Sequence, residues 1–236
     1  MERHFEMELE KLNVRLKKMA GIVAIQVNSA MKALMEGDVE LAKQIIEQDR
    51  KVDKLDNKID KLCQRIFALS QPVATDLRFI MSSLKINNDL ERMGDHAVGI
   101  AYKIETLIEN REVISLLNLG EVVADLNKLM ELMVAIIEKR DVNLVKEIFE
   151  LSAEIHNKLQ TLSAKIIEEM TKKSEIIVVA TNLMLILTQL ERIEAYTTNI
   201  AESIVFIVEG KLVKHPKLVK ANPENMIEPG IPEITV

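Results

Sequence analysis

Helix-breaking residues are nearly absent from most of this chain, and that scarcity decides its fold class. Of 236 residues only seven are glycine and five proline, and Pro216, Pro223, Pro229 and Pro232 fall together near the C-terminal end. The long stretches between them suit uninterrupted helices. The few breakers that remain act as punctuation. Gly37-Asp38 reads as a helix stop followed by an N-cap and Gln71-Pro72 as a turn, while Arg140-Asp141, Lys173-Ser174 and Gly210 mark three more boundaries. The spacing predicts six helices, over about residues 4–36, 38–70, 74–109, 118–139, 141–171 and 174–209. Residues 211–236 read as an extended or disordered tail.

Periodicity then predicts how the helices pack. In the second helix Val52, Leu55, Ile59, Leu62, Ile66 and Leu69 alternate spacings of three and four, as do Leu90, Met93, Ala97, Ile100, Ile104 and Leu107 in the third. Each set is one apolar stripe, the seam of an antiparallel bundle. The chain also repeats itself at about one hundred residues. Leu90-Glu91-Arg92 returns as Leu190-Glu191-Arg192 and Ile100-Ala101 as Ile200-Ala201, while Gly37-Asp38-Val39 matches Arg140-Asp141-Val142. The fold class is therefore all-α, two tandem antiparallel three-helix bundles, with repeats spanning 1–110 and 111–210.

Composition excludes several functions. A net charge of -6 and 3% aromatic residues leave neither the basic patch nor the stacking rings of a nucleic-acid binder. The single cysteine, Cys63, rules out an intrachain disulfide and fits a reducing compartment. The charged start, Met1 to Glu8, has no apolar signal region, so the expected location is the cytoplasm. The longest uncharged run, Ile176 to Leu190, falls short of a membrane span and reads as a buried core helix. The twelve methionines read as core filler.

Carboxylates carry the chemical signal. Asp49, Asp53, Asp56 and Asp60 form one stripe on the second helix, with Lys51, Lys54, Lys58 and Lys61 on the opposite flank. Like charges at these spacings cost about 0.2–0.5 kcal/mol each, so the segregation calls for compensation. The third helix adds Glu91 and Asp95, with Asn88 one turn before Glu91. Antiparallel pairing across Gln71-Pro72 brings Asp49 and Asp53 to the height of Glu91 and Asp95. Clustered oxygen donors without thiolates suit Mg²⁺, Ca²⁺, Mn²⁺ or oxygen-ligated iron; the alternative is a solvated acidic face.

Leu90-Glu91-Arg92-Met93-Gly94-Asp95-His96-Ala97, preceded by Gln71-Pro72-Val73-Ala74-Thr75-Asp76-Leu77-Arg78, resembles the signature of the PhoU family. Glu91-x-x-x-Asp95 is similar to its E(D)xxxD metal motif, and Asp49 and Asp53 to the partner motif on the second helix. Glu191-Arg192-Ile193, Thr198-Asn199-Ile200-Ala201-Glu202 and Glu209-Gly210-Lys211 resemble the second repeat of the family. The resemblance implies paired three-helix bundles with metal sites in a non-enzymatic cytoplasmic protein that restrains phosphate uptake and phosphate-starvation signalling. The implied partners are the ATPase of a phosphate transporter and a phosphate-sensing histidine kinase, with the chain itself a homo-oligomer such as a homodimer. The implied metal ligands are Asp49, Asp53, Glu91 and Asp95, holding Fe, Mg, Mn or Zn.

The second repeat departs from the pattern. Ala195 stands where the motif has an aspartate, and Ser152 and His156 align with Asp49 and Asp53. Glu191, Glu194 and His156 are left as a degraded second metal site. His96, turned about 100° from Asp95, is expected to pack or hydrogen-bond; His4 and His215 are expected at the surface. Two alternatives remain. One is a metal-free helical adaptor or an accessory of another phosphate transporter; the other is a di-iron carboxylate enzyme, which lacks the Glu-x-x-His pairs it needs. No hydrolytic nucleophile sits on a strained turn.

Overall fold

The computed structural model describes residues 2–108 and 119–213; residues 1, 109–118 and 214–236, His215 and nearly all of the expected tail among them, lie outside the described residues. Six helices account for nearly all of them: α1 (Glu2–Glu36), α2 (Val39–Ser70), α3 (Ala74–Leu107), α4 (Gly120–Lys139), α5 (Leu144–Lys172) and α6 (Ile177–Glu209), the last preceded by a 3₁₀ turn at Ser174–Ile176.

The boundaries follow from local chemistry. Asp38 caps α2, its Oδ1 accepting from Leu41 N at 2.9 Å, and Gln71 ends the helix in the left-handed region at φ 44°. Gly37 at φ 64° and Arg140 at φ 52° occupy equivalent stops in the two repeats. A left-handed arginine costs about 1–2 kcal/mol, and here contacts offset it. Arg140 Nη2 donates to Asn13 Oδ1 at 3.0 Å, and the guanidinium lies 4.3 Å over the Phe79 ring. Arg140→Ala keeps the strain and loses both contacts, so it should cost about 1 kcal/mol, whereas Arg140→Gly relieves the strain and should stay near neutral. Urea unfolding of the two variants separates these outcomes.

In each repeat α2 or α5 is the outer helix, packed on the other two helices of its own unit; α3 and α6 form the main junction between repeats, with α1 against α4 beside it. The seams are buried as their spacing predicts, with Ile59, Leu90, Met93, Ala97 and Ile100 at zero exposure. Leu69, in the last turn of α2, is the exception at 70% exposed. Cys63 is buried, and burial pushes its thiol up to about 12, which makes it a core residue and not a nucleophile.

The core expectation for Ile176–Leu190 holds on one face only: Val179, Ala180, Leu183, Ile186, Leu187 and Leu190 are buried. Val178 is 68% exposed, and Ile177 and Leu185 are also exposed. The Ser174–Glu209 segment is, by length and composition, apolar enough to cross a membrane.

The α3/α6 junction has internal symmetry. Asp89 accepts from Asn199, and the notch at Gly99 is filled by the Gln189 amide; these are reciprocal pairs under the hundred-residue repeat. Arg92 Nη1 reaches Tyr196 OH at 3.4 Å, and the Arg78 guanidinium sits against Gly210, so the two helices run antiparallel throughout. At the centre His96 stacks on its own equivalent, Tyr196, with ring centroids 5.7 Å apart and planes 19° apart. Its Nδ1 donates to Gln189 Oε1, the hydrogen-bonding role expected of it. His4 is exposed.

Candidate functional site

The first-repeat carboxylates share one face of the α2/α3 pair. Asp49 is within electrostatic reach of Asp53 and Asp95, and Glu91 of Asp95, Asp56 and Asp53. Partial burial, reinforced by these like charges, raises the carboxyls of Asp49, Asp56 and Glu91 above the ordinary range. The register expected from the Gln71-Pro72 turn is present: Gly94 faces Asp49, and Asn87 faces Asp56 and Asp60.

Two buried carboxamides organise this face. Gln26 of α1 donates through Nε2 to Asp49 Oδ1 at 2.9 Å. Asn87 of α3 donates through Nδ2 to Asp56 Oδ1 at 2.7 Å and to Asp60 Oδ1 at 3.1 Å. Their other oxygens, Gln26 Oε1 and Asn87 Oδ1, are buried without hydrogen-bond partners. Asn88, the residue singled out from sequence, is exposed. Asn87 is the one turned toward α2, because position 87 and not 88 falls on the buried face. Nothing in the sequence pointed to Gln26, which lies on a different helix from every motif acid.

Gly94 permits the close approach. A Cβ there would lie 3.3 Å from Gln26 Oε1 and 3.4 Å from both Asp49 Oδ1 and Val52 Cγ1. The donor set is oxygen-only and suits a hard cation. Asp53 and Asp95 are exposed and Asp49 and Glu91 half-buried. As the side chains stand, no group of three or more His, Cys, Asp or Glu among the described residues converges to hold a metal ion.

The second repeat transposes this arrangement. Glu194 occupies the position equivalent to Gly94, and Ser152 the position equivalent to Asp49. Ser152 Oγ donates to a Glu194 carboxylate oxygen, so the carboxyl comes from the third helix of the unit instead of the second. Glu194 is 8% exposed, and burial, with Glu191 adding in the same direction, raises it to about 7. Glu191 accepts from Gln160 Nε2 at 2.8 Å. His156 is exposed on the rim of a cleft of about 910 Å³ that also contains Glu194, Ser152 and Ala195. Glu194 and His156 thus share a cleft, while Glu191 is turned to Gln160.

Comparison with known proteins agrees with this two-repeat layout. The PhoU domain matches residues 16–104 and 119–204. The phosphate-specific transport system accessory protein PhoU homolog of Pseudomonas aeruginosa is 30% identical over 228 residues, covering 95% of this chain and 93% of the relative. The crystal structure of PhoU from Pseudomonas aeruginosa superposes with a TM-score of 0.82 at 30% identity, covering 88% of this chain and all of that one. The phosphate transport system regulatory protein PhoU from Streptococcus pneumoniae superposes with a TM-score of 0.80 at 29% identity, over 89% and 99% of the respective chains. With both repeats matched in sequence and the whole bundle matched in structure, this chain belongs to the PhoU domain family.

Proposed function

We propose that this chain is a cytoplasmic, non-enzymatic regulator of phosphate transport, which restrains phosphate uptake and phosphate-starvation signalling by linking a transporter ATPase to a histidine kinase. The observation that carries this reading is the match over 95% of the chain to a relative named as an accessory protein of the phosphate-specific transport system. The bundle offers long helical faces for binding a partner.

Asp49, Asp53, Glu91 and Asp95 would hold a cation of the Fe, Mg, Mn or Zn class, whose charge would relieve the crowding that raises Asp49 and Glu91. Glu191, Glu194 and His156 are the weaker set, because Ser152 and Gln160 already occupy two of the three. Elemental mass spectrometry of the purified protein tests this. Bound metal should fall at least tenfold in Asp95→Ala and persist in Glu191→Ala. Pull-down of the transporter ATPase and histidine kinase tests the adaptor role separately.

A metal-free adaptor is the second reading, favoured by the absence of a converged ligand set among the described residues. Metal-free protein that still captures both partners would select it. A di-iron enzyme has no such support.

A further inference from the structure

The second-repeat cleft differs in chemistry from the first-repeat acidic face. Ala195 and Ser152 replace two motif carboxylates, and the walls are apolar: Val145, Phe149, Ala153 and Val205. One acid, Glu194, is retained at 8% exposure, where the first repeat has only glycine. Burying a carboxyl is costly unless something compensates the charge, and the Ser152 hydroxyl is a neutral partner.

The rim adds charge of the same sign. Glu150, Glu154 and Glu209 line the opening, Lys146 pairing with Glu150 at 3.6 Å and Lys211 with Glu209 at 3.7 Å, so three rim carboxylates stand against two lysines. The cleft is also long. Its lining runs along α5 from Val145 to His156 and along α6 from Glu194 to Glu209, about 20 Å at helical rise. That length accommodates about six residues of extended chain. A volume of about 910 Å³ spread over it leaves the cross-section of one strand, not of a compact metabolite.

We propose that the α5/α6 cleft is a docking trough for an extended, apolar peptide segment of a protein partner, anchored by a lysine or arginine whose cation meets Glu194. The apolar side chains cover Val145, Ala153 and Val205, and the acidic rim orients the basic segment as it arrives. Docking of this kind deepens the adaptor reading and is independent of metal.

The test is fluorescence anisotropy at pH 8.5, where the Glu194 carboxyl is ionised, on the full chain with a dye-labelled peptide of valine and leucine carrying one central lysine. The control is the same peptide with norleucine in place of lysine. The lysine peptide should bind at least tenfold more tightly than the control. Glu194→Gln should erase the difference, and Ala153→Phe, which fills the trough, should abolish binding of both. Exposed Glu150→Lys/Glu154→Lys should weaken the lysine peptide at least fivefold without a core change, keeping the test sound if the phenylalanine variant misfolds. Glu47→Lys, a distant surface charge change, should leave affinities unaltered. Equal affinity of the two peptides, or insensitivity to Glu194→Gln, overturns the proposal. So does binding that appears only in a Lys214→Ser/Lys217→Ser/Lys220→Ser chain, which would assign the trough to the chain's own following segment. Loss of partner capture in pull-down with these peptide results intact would count against the adaptor reading alone.

Discussion

Glu194→Gln should stabilise the protein by about 2–3 kcal/mol at pH 8.5 and by less than about 0.5 kcal/mol at pH 4.5. The folded chain holds this carboxyl protonated up to about 7, whereas in the unfolded chain it ionises near the ordinary glutamate value of about 4.3. Between those values the folded state carries a proton that the unfolded state has released. The stability associated with the neutral acid is therefore complete below the unfolded value and lost as pH rises through the folded one. Burial is the leading cause of the shift and Glu191 the second, and glutamine abolishes both effects while retaining shape and an acceptor for Ser152. Urea denaturation at the two pH values measures the difference. An equal change at both would mean that Glu194 is already ionised and solvated.

The second large effect is expected at the equivalent position of the first repeat. Gly94→Leu should destabilise by about 2–3 kcal/mol, because its Cβ alone already stands 3.3–3.4 Å from Gln26, Asp49 and Val52 and the remaining carbons have no space between α1, α2 and α3. The substitution also parts Gln26 from Asp49, leaving a half-buried carboxylate without its donor. Gly94→Ala should be nearly neutral: the neighbouring oxygens are side-chain ends that can shift by a few tenths of an ångström, and alanine gains about 1 kcal/mol of helix propensity. Thermal unfolding of the pair distinguishes crowding from a general intolerance of substitution. If alanine proved as damaging as leucine, the cause would lie in the backbone.

The helices were legible because their signals are local. The three-and-four spacing of Val52 to Ile66 and the stops at Gly37, Gln71 and Gly210 need no knowledge of neighbours. Leu69 was misplaced because the periodicity runs on into the last turn of α2, level with only the first residues of α3. Ile177, Val178 and Leu185 show the converse: an apolar run says nothing about which face its neighbours leave open. The acidic stripes were visible, and so was their common height, since both follow from helix geometry and one turn. Gln26 and Asn87 were not, because an amide becomes part of an acidic face only when a third helix or a particular rotation brings it there. The exchange of Gly94 for Glu194 could be read from the repeat, but its meaning depended on the Ser152 hydrogen bond, a contact between helices that no spacing encodes.

The junction at His96 and Tyr196 bears on how the molecule responds to dilution. Two separate subunits meeting about a twofold axis obey mass action and come apart below their dissociation constant. Here the equivalent surfaces belong to one chain, so their association is intramolecular and its strength does not vary with protein concentration. Linkage also removes a constraint on sequence. On the axis of a true dimer a residue must be compatible with its own copy, and two facing histidines would repel once protonated. In this chain the copies have diverged, and His96 lies against a tyrosine whose hydroxyl is within reach of Arg92, a pairing no symmetric dimer of one repeat can make.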